Sequence, residues 1–227
     1  MNTHVTAIIL AAGTGSRMNL NVTKQRISLG CESVLRRTVR IFNECMDIDS
    51  IIVVTRMDEI DFAKDETIGL CKVKAIVAGG DTRVHSAKCG FDSISFKTDF
   101  IAIHDAARCF ISSDMISAVI SDAKKHGAAT ASAKVTDTVK ILDNEGRINK
   151  TIPRETLVLV QTPQVFRADL YKKAIDSVDF NDDSITDDNM LLERVGIHPY
   201  CTDTGKENIK LTTREDLIYA EFLLSKE

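Results

Sequence analysis

The run Val5 to Leu10 (VTAIIL) is apolar and β-rich on both faces, and it stops at Ala11-Ala12-Gly13. A short run of this kind reads as a strand buried on both sides, the habit of parallel sheets covered by helices. Ile51 to Thr55, Lys74 to Val77 and Phe100 to His104 repeat the pattern. Between them the spacing turns helical. Ser33 is placed to cap a helix carrying Leu35, Val39 and Phe42, and Ile116, Val119, Ile120 and Ala123 form a second stripe. Near the end, Thr212-Thr213-Arg214-Glu215 has the form of a capping box ahead of Leu217, Ala220 and Leu224.

Strands alternating with helices imply βαβ units. The pattern predicts an α/β fold with a Rossmann-like open, mostly parallel sheet and helices on both faces. One stretch departs from it. Val135 to Leu142 is β-rich, Asp143-Asn144-Glu145-Gly146 is a turn cluster, and Arg147 to Thr151 leads onward, which predicts a protruding β-hairpin arm over about 134–157. A lone hairpin is marginal in water, so the arm is expected to pack on something else, with a second subunit the natural candidate. No repeat or linker divides the chain, and residues 1–227 read as a single domain.

Composition narrows the function. With 227 residues, 44% hydrophobic and 27% charged, the chain is of ordinary globular type. A net charge of −4 provides no basic field for nucleic acid or an anionic membrane. No apolar run reaches the length of a membrane span, and Met1-Asn2-Thr3-His4 leads into the first strand without a signal-like segment. A cytoplasmic location is expected. The cysteines at 31, 45, 71, 89, 109 and 201 lack a Cys-x-x-Cys pair and are expected to be buried or half-buried free thiols rather than a metal cluster.

The loop after the first strand carries the first chemical signal. In Leu10-Ala-Ala-Gly-Thr-Gly-Ser-Arg17-Met18, Gly13 and Gly15 permit a tight path and close approach of a ligand. Successive backbone N–H groups there can form an anion nest, and Arg17 and Lys24 bring positive charge to the same place. A triphosphate needs this combination, because its transfer depends on positioning and charge stabilisation. The loop by itself leaves a plain strand-to-helix turn open. Met18 stands where a dinucleotide fingerprint needs its third glycine, and there is no Gly-Lys-Ser/Thr of a Walker loop.

AAGTGSRM followed by TKQ resembles the sugar-nucleotide pyrophosphorylases. GGDTRVHS at 79–86, HDAAR at 104–108, VTDTVK at 135–140, IPRETL with QTPQVF at 152–166, ITDD at 185–188 and NIKLTT at 208–213 narrow the match. In this order they resemble the 2-C-methyl-D-erythritol 4-phosphate cytidylyltransferases, from about residue 5 to the C-terminus. The ribitol-5-phosphate cytidylyltransferases share most of these motifs.

The resemblance implies a CTP-dependent cytidylyltransferase acting on a polyol phosphate. It implies a nucleotide site at Ala11, Ala12, Gly13, Thr14, Gly15, Gly80, Asp81, Ser86, Asp105 and Ala106. Arg17, Lys24 and Lys210 would be catalytic cations, with Lys210 alternating out of a short strand. Asp105 would hold Mg²⁺, the implied cofactor. Arg108, Thr138, Arg154, Thr162 and Thr186 would bind the acceptor, and the arm would cross to a neighbour in a homodimer. His104 reads as a structural hydrogen-bonding residue. Thr186-Asp187-Asp188 also has the form of a helix start, itself an anion site. Thr23 and Cys109 stand where many relatives have proline, and Pro153 where an acid is common. Two other readings compete: a ribitol-5-phosphate or other polyol-phosphate cytidylyltransferase, and a nucleotide-binding module without catalysis. Ala107 favours methylerythritol phosphate, since the ribitol branch more often has valine there. The retained cations favour an enzyme.

Overall fold

A computed structural model describes residues 3–13, 23–178 and 184–226. Its centre is a seven-stranded sheet in the order β11-β7-β10-β6-β1-β4-β5. The strands are β1 (Val5–Leu10), β4 (Ser50–Thr55), β5 (Val73–Ala78), β6 (Phe100–Asp105), β7 (Ala128–Lys134), β10 (Val158–Arg167) and β11 (Tyr200–Asp203). The β1/β4, β1/β6, β4/β5 and β7/β11 pairs are parallel, and β10 runs antiparallel to both of its neighbours. Two short strands, β2 (Ser28–Leu29) and β3 (Glu32–Ser33), pair separately.

Alternation along the strands builds two cores. Ala7, Ile9, Ile51, Val53 and Ala102 point to one face, under α1 (Val34–Glu44), α2 (Ile60–Glu66) and α4 (Ser113–His126). Ile8, Leu10, Ile52, Val54, Ile101 and Ile103 point to the other, under α3 (Arg83–Asp92), α5 (Ala168–Ile175) and α6 (Asn189–Arg194). Each residue of β1, β4 and β6 is thus buried whichever way it points, as the unbroken apolar runs require. A third cluster packs α7 (Arg214–Leu224) against Leu29, Phe110 and Leu211.

Local chemistry sets the helix ends. The Ser33 hydroxyl accepts from Arg36 N at 3.0 Å and starts α1. Gly127, at φ +86°, closes α4 in the left-handed conformation that favours glycine. Gly90 has a packing role: a Cβ there would fall 2.5 Å from Ile8 Cγ2 and 2.7 Å from Val54 Cγ2. Its absence lets α3 lie directly on β1 and β4.

Four expectations need correction. The capping box is one residue later than read, with Thr213 as the cap and Asp216 as its acidic partner. Asn208-Ile209-Lys210 is irregular backbone, not a strand, because it follows the buried amide of Asn208 rather than a ladder partner. Cys31, Cys71 and Cys201 are exposed; Cys45 and Cys109 are buried and Cys89 is intermediate. The β-structure of the arm begins at 139, not 135. β8 (Val139–Leu142) and β9 (Ile148–Ile152) form the hairpin as a separate two-stranded sheet, with Ile141, Leu142 and Ile148 exposed.

Candidate active site

From β1 the chain crosses to β4 on one side, while β6 lies on the other. The sheet order therefore reverses between β1 and β6, where open α/β sheets bind ligands beyond their strand ends. Leu10 and Asp105 are the last registered pair of these strands. Beyond them opens a cavity of about 500 Å³, of the size that takes small ligands.

One wall comes from the loop before α3. A Cβ on Gly79 would lie 2.6 Å from Ser86 Oγ and 2.9 Å from Ala12 Cβ, so glycine lets this loop close on the end of β1. Gly80, Asp81 and Ser86 line the cavity with Ala12 and Gly13. The Ser86 hydroxyl is buried and donates to Gly80 O at 3.2 Å, rather than facing solvent. Ala11 N donates to Val54 O and Ala106 N to Leu10 O, which fixes the residues flanking both strand ends.

Cations line the cavity as well. Lys24 lies in a single 3₁₀ turn with its Nζ donating to Leu211 O at 2.9 Å. Gln25 Nε2 reaches Gly13 O at 3.4 Å. Lys210 Nζ donates to Asp105 Oδ2 at 2.7 Å, and Arg83 Nε to Asp105 Oδ1 at 3.1 Å. Lys24, Arg83 and Lys210, far apart in sequence, all line this one cavity.

Asp105 is 8% exposed. Burial would raise its carboxyl pKa, but the Arg83 guanidinium and the Lys210 ammonium together hold it well below the usual carboxylate range. His104, next to it, is wholly buried. Burial pushes its imidazole down to about 3, so the ring is neutral. Its Nε2 lies 3.2 Å from Arg108 O, and a carbonyl only accepts, which puts the proton on Nε2. Nδ1 then accepts from Thr162 Oγ1 at 3.1 Å, while that oxygen accepts from Asp105 N at 3.0 Å. The chain of bonds orients the strand end and engages both ring nitrogens of His104.

A second cavity of about 230 Å³ adjoins the first and shares Arg83, Asp105, Thr186 and Lys210 with it. Arg108, Val160, Gln161, Thr162, Gln164 and Asp187 complete its lining. Arg108 Nη1 donates to Asn208 O at 2.8 Å, and burial lowers the guanidinium pKa, partly offset by Asp105. Asp187 Oδ1 accepts from Met190 N at 3.1 Å and starts α6. Two cavities meeting at shared cations suit a polyphosphate on one side and a smaller phosphorylated partner on the other.

Of the nucleotide residues expected from the sequence, Ala12, Gly13, Gly80, Asp81, Ser86 and Asp105 line the larger cavity, with Ala11 and Ala106 flanking it. Thr14, Gly15 and Arg17 lie outside the described residues. Of the acceptor residues, Arg108, Thr162 and Thr186 line the smaller cavity. Thr138 and Arg154 do not: both are exposed on the arm, where Arg154 Nη1 donates to Thr136 O at 3.0 Å. Sequence reasoning missed Arg83, Gln164 and Asp188. Arg83 stands inside GGDTRVHS as a charge with no local partner in the motif, and Asp188 stands inside ITDD, where the sequence shows only a helix start.

The fit to a divalent cation is specific in kind. Among the described residues no three His, Cys, Asp or Glu side chains group to hold a metal. Among the lining residues Asp105 is the carboxylate common to both cavities, and both its oxygens are in ion pairs. Such a site suits Mg²⁺ that takes one carboxylate and completes its shell with phosphate oxygens and water.

A glycine-bearing loop closing on a strand end, and cations converging beyond a topological switch point, define a nucleotidyltransferase of the α/β class. The chain belongs to the 2-C-methyl-D-erythritol 4-phosphate cytidylyltransferase family, whose model matches residues 5–226. A Clostridium perfringens protein of that name is 39% identical over 96% of this chain and 97% of its own length. One from Alkaliphilus oremlandii is 39% identical over 96% and 93%. The crystal structure of the 4-diphosphocytidyl-2C-methyl-D-erythritol synthase of Anaerococcus prevotii superposes with a TM-score of 0.87 at 29% identity, covering 99% of this chain and 100% of that one. That of the Francisella tularensis cytidylyltransferase gives 0.81 at 29% identity, covering 97% and 99%.

Proposed function

We propose that the protein transfers CMP from CTP to 2-C-methyl-D-erythritol 4-phosphate and releases pyrophosphate, a step of isoprenoid precursor synthesis. The observation that carries this reading is the meeting of Lys24 and Lys210, from distant stretches of chain, on one cavity that adjoins a smaller second one at Arg83, Asp105, Thr186 and Lys210.

CTP lies in the larger cavity. Its base faces Ala12, Gly13, Gly80, Asp81 and Ser86, where backbone groups and one hydroxyl read the cytosine edge and leave unpaired groups with a wrong base. The acceptor lies in the smaller cavity, with its phosphate toward Thr186 and the start of α6. An oxygen of the acceptor phosphate attacks the α-phosphorus in line. A new P–O bond forms, the bond to the bridging oxygen breaks, and its electron pair leaves with pyrophosphate. The monoester is anionic near neutral pH, so no general base is needed. Lys24, Lys210 and Arg17 stabilise charge on the α-phosphate and the leaving group. Lys210 is held by Asp105 before substrate arrives, which keeps it aimed at the cavity. Asp105 is the residue that would hold Mg²⁺, and the ion would supply further charge neutralisation there.

The arm supports a homodimer in which Thr138 and Arg154 reach the acceptor site of the neighbouring subunit. Ile141, Leu142 and Ile148 on the arm and Val158, Leu159 and Val160 beside it are all exposed. A cluster of that kind is unusual on a surface meant to stay in water. Among the described residues no helix is long and apolar enough to cross a membrane.

The test is pyrophosphate release from CTP with each acceptor in turn. Turnover with methylerythritol phosphate at least tenfold above ribitol 5-phosphate is expected. The reverse order assigns the chain to the ribitol branch, and release with neither removes the reading.

A further inference from the structure

Arg83 joins the two half-sites. Its Nε donates to Asp105 Oδ1 at 3.1 Å, and its Nη1 is paired with Asp188 Oδ2. Asp188 is fully buried and stands immediately before α6, two residues after Thr186. Its other oxygen accepts from the Tyr171 hydroxyl at 3.0 Å, and its backbone N donates to Gln164 Oε1 at 3.0 Å. The guanidinium thus ties the carboxylate at the end of β6 to the helix start that carries Thr186. Asp105 is held on its other side by Lys210, the cation expected to turn toward phosphate when nucleotide binds. Arg83 then remains as the ion-pair partner of the Asp105 carboxylate. Its remaining nitrogen, Nη2, is buried without a hydrogen-bond partner, an unusual condition for a purely structural arginine.

Resting on the transfer reading above, we propose that Arg83 is a positioning residue. It holds Asp105 and the Thr186 turn in fixed relation, so that the acceptor phosphate is aligned on the nucleotide only while this bridge is intact. Its first effect is on acceptor binding and turnover, not on CTP binding.

The test uses the full chain with Arg83→Gln, Asp188→Asn and the double variant. CTP affinity is measured by calorimetry, kcat and the acceptor KM by pyrophosphate release, and Tm by thermal unfolding. Arg83→Gln is expected to raise the acceptor KM at least tenfold and lower kcat, with CTP affinity within about threefold of wild type. It also lowers Tm, because Asp188 is left buried without its cation. The double variant removes that orphaned charge, so Tm recovers while the acceptor KM stays high. Recovery of the acceptor KM together with Tm would reduce Arg83 to a charge partner and overturn the proposal. Equal losses in CTP affinity and acceptor KM would overturn it as well. Wild-type turnover tests the transfer reading, and the kinetic split among the variants tests Arg83, so the two fail separately.

Discussion

Lys24 shows how one side chain is prepared for a transition state. It is nearly buried in a single 3₁₀ turn, and its ammonium is held by the carbonyl of Leu211 across 187 positions of sequence. An aliphatic stem fixed by packing loses little further entropy when the head meets phosphate, so its interaction can concentrate where charge develops. Lys24→Ala is expected to lower kcat at least about 100-fold while the CTP dissociation constant changes less than about fivefold. Single-turnover kinetics beside calorimetric titration of CTP measures both, and equal losses would assign Lys24 to ground-state binding.

At the scale of elements, the arm carries the sharpest expectation. Among the described residues its hairpin pairs with no other strand, and its apolar side chains Ile141, Leu142 and Ile148 are exposed. If it crosses to a partner, each active site combines Lys24 of one subunit with Arg154 of the other. Lys24→Ala and Arg154→Ala should each be nearly inactive alone. Once subunits have exchanged, an equimolar mixture should regain about a quarter of wild-type activity, since half the dimers are mixed and one of their two sites is intact. No recovery after verified exchange would place Arg154 outside the partner's site. The elements also show where sequence patterns stop being legible. β1, β4 and β6 were readable because burial on both faces demands unbroken apolar runs. β7 was not, since AATASAK is small and weakly β-forming and takes its shape from β10 and β11 on either side. β10 hides for another reason. Pro163 argues against a central strand, but the β10 register against β7 shifts between Val160 and Gln164, and the proline sits in that irregularity.

On the scale of the whole molecule, stability should depend on pH through the centre of the site. His104 is depressed from its ordinary value near 6.5 to about 3 in the folded chain. The unfolded state therefore binds a proton that the native state refuses, and stability is lost as pH falls from about 6.5 toward 3. Asp105 acts with the same sign lower down, since its carboxyl is also depressed. Tm should be highest near neutral pH and fall progressively in acid. His104→Gln, which cannot take up a proton, should flatten the curve between about pH 6.5 and 4, as thermal unfolding across that range would reveal. An unchanged slope would mean that His104 does not control it.

Taken by itself, the sequence determined the alternating α/β architecture, the hairpin, and the motif residues of both half-sites. Period, turn chemistry and capping are local properties written in adjacent residues. Ser33 ahead of its stripe and the glycine loop after β1 are of that kind. Only the tertiary structure decided which charges meet. Arg83 is 22 residues from Asp105 and 105 from Asp188, and Lys210 is 105 from Asp105. Such pairings arise from strand order and from the close approach that Gly79 and Gly90 permit. No pattern of neighbouring residues encodes a Coulombic contact between segments that only the folded sheet brings together.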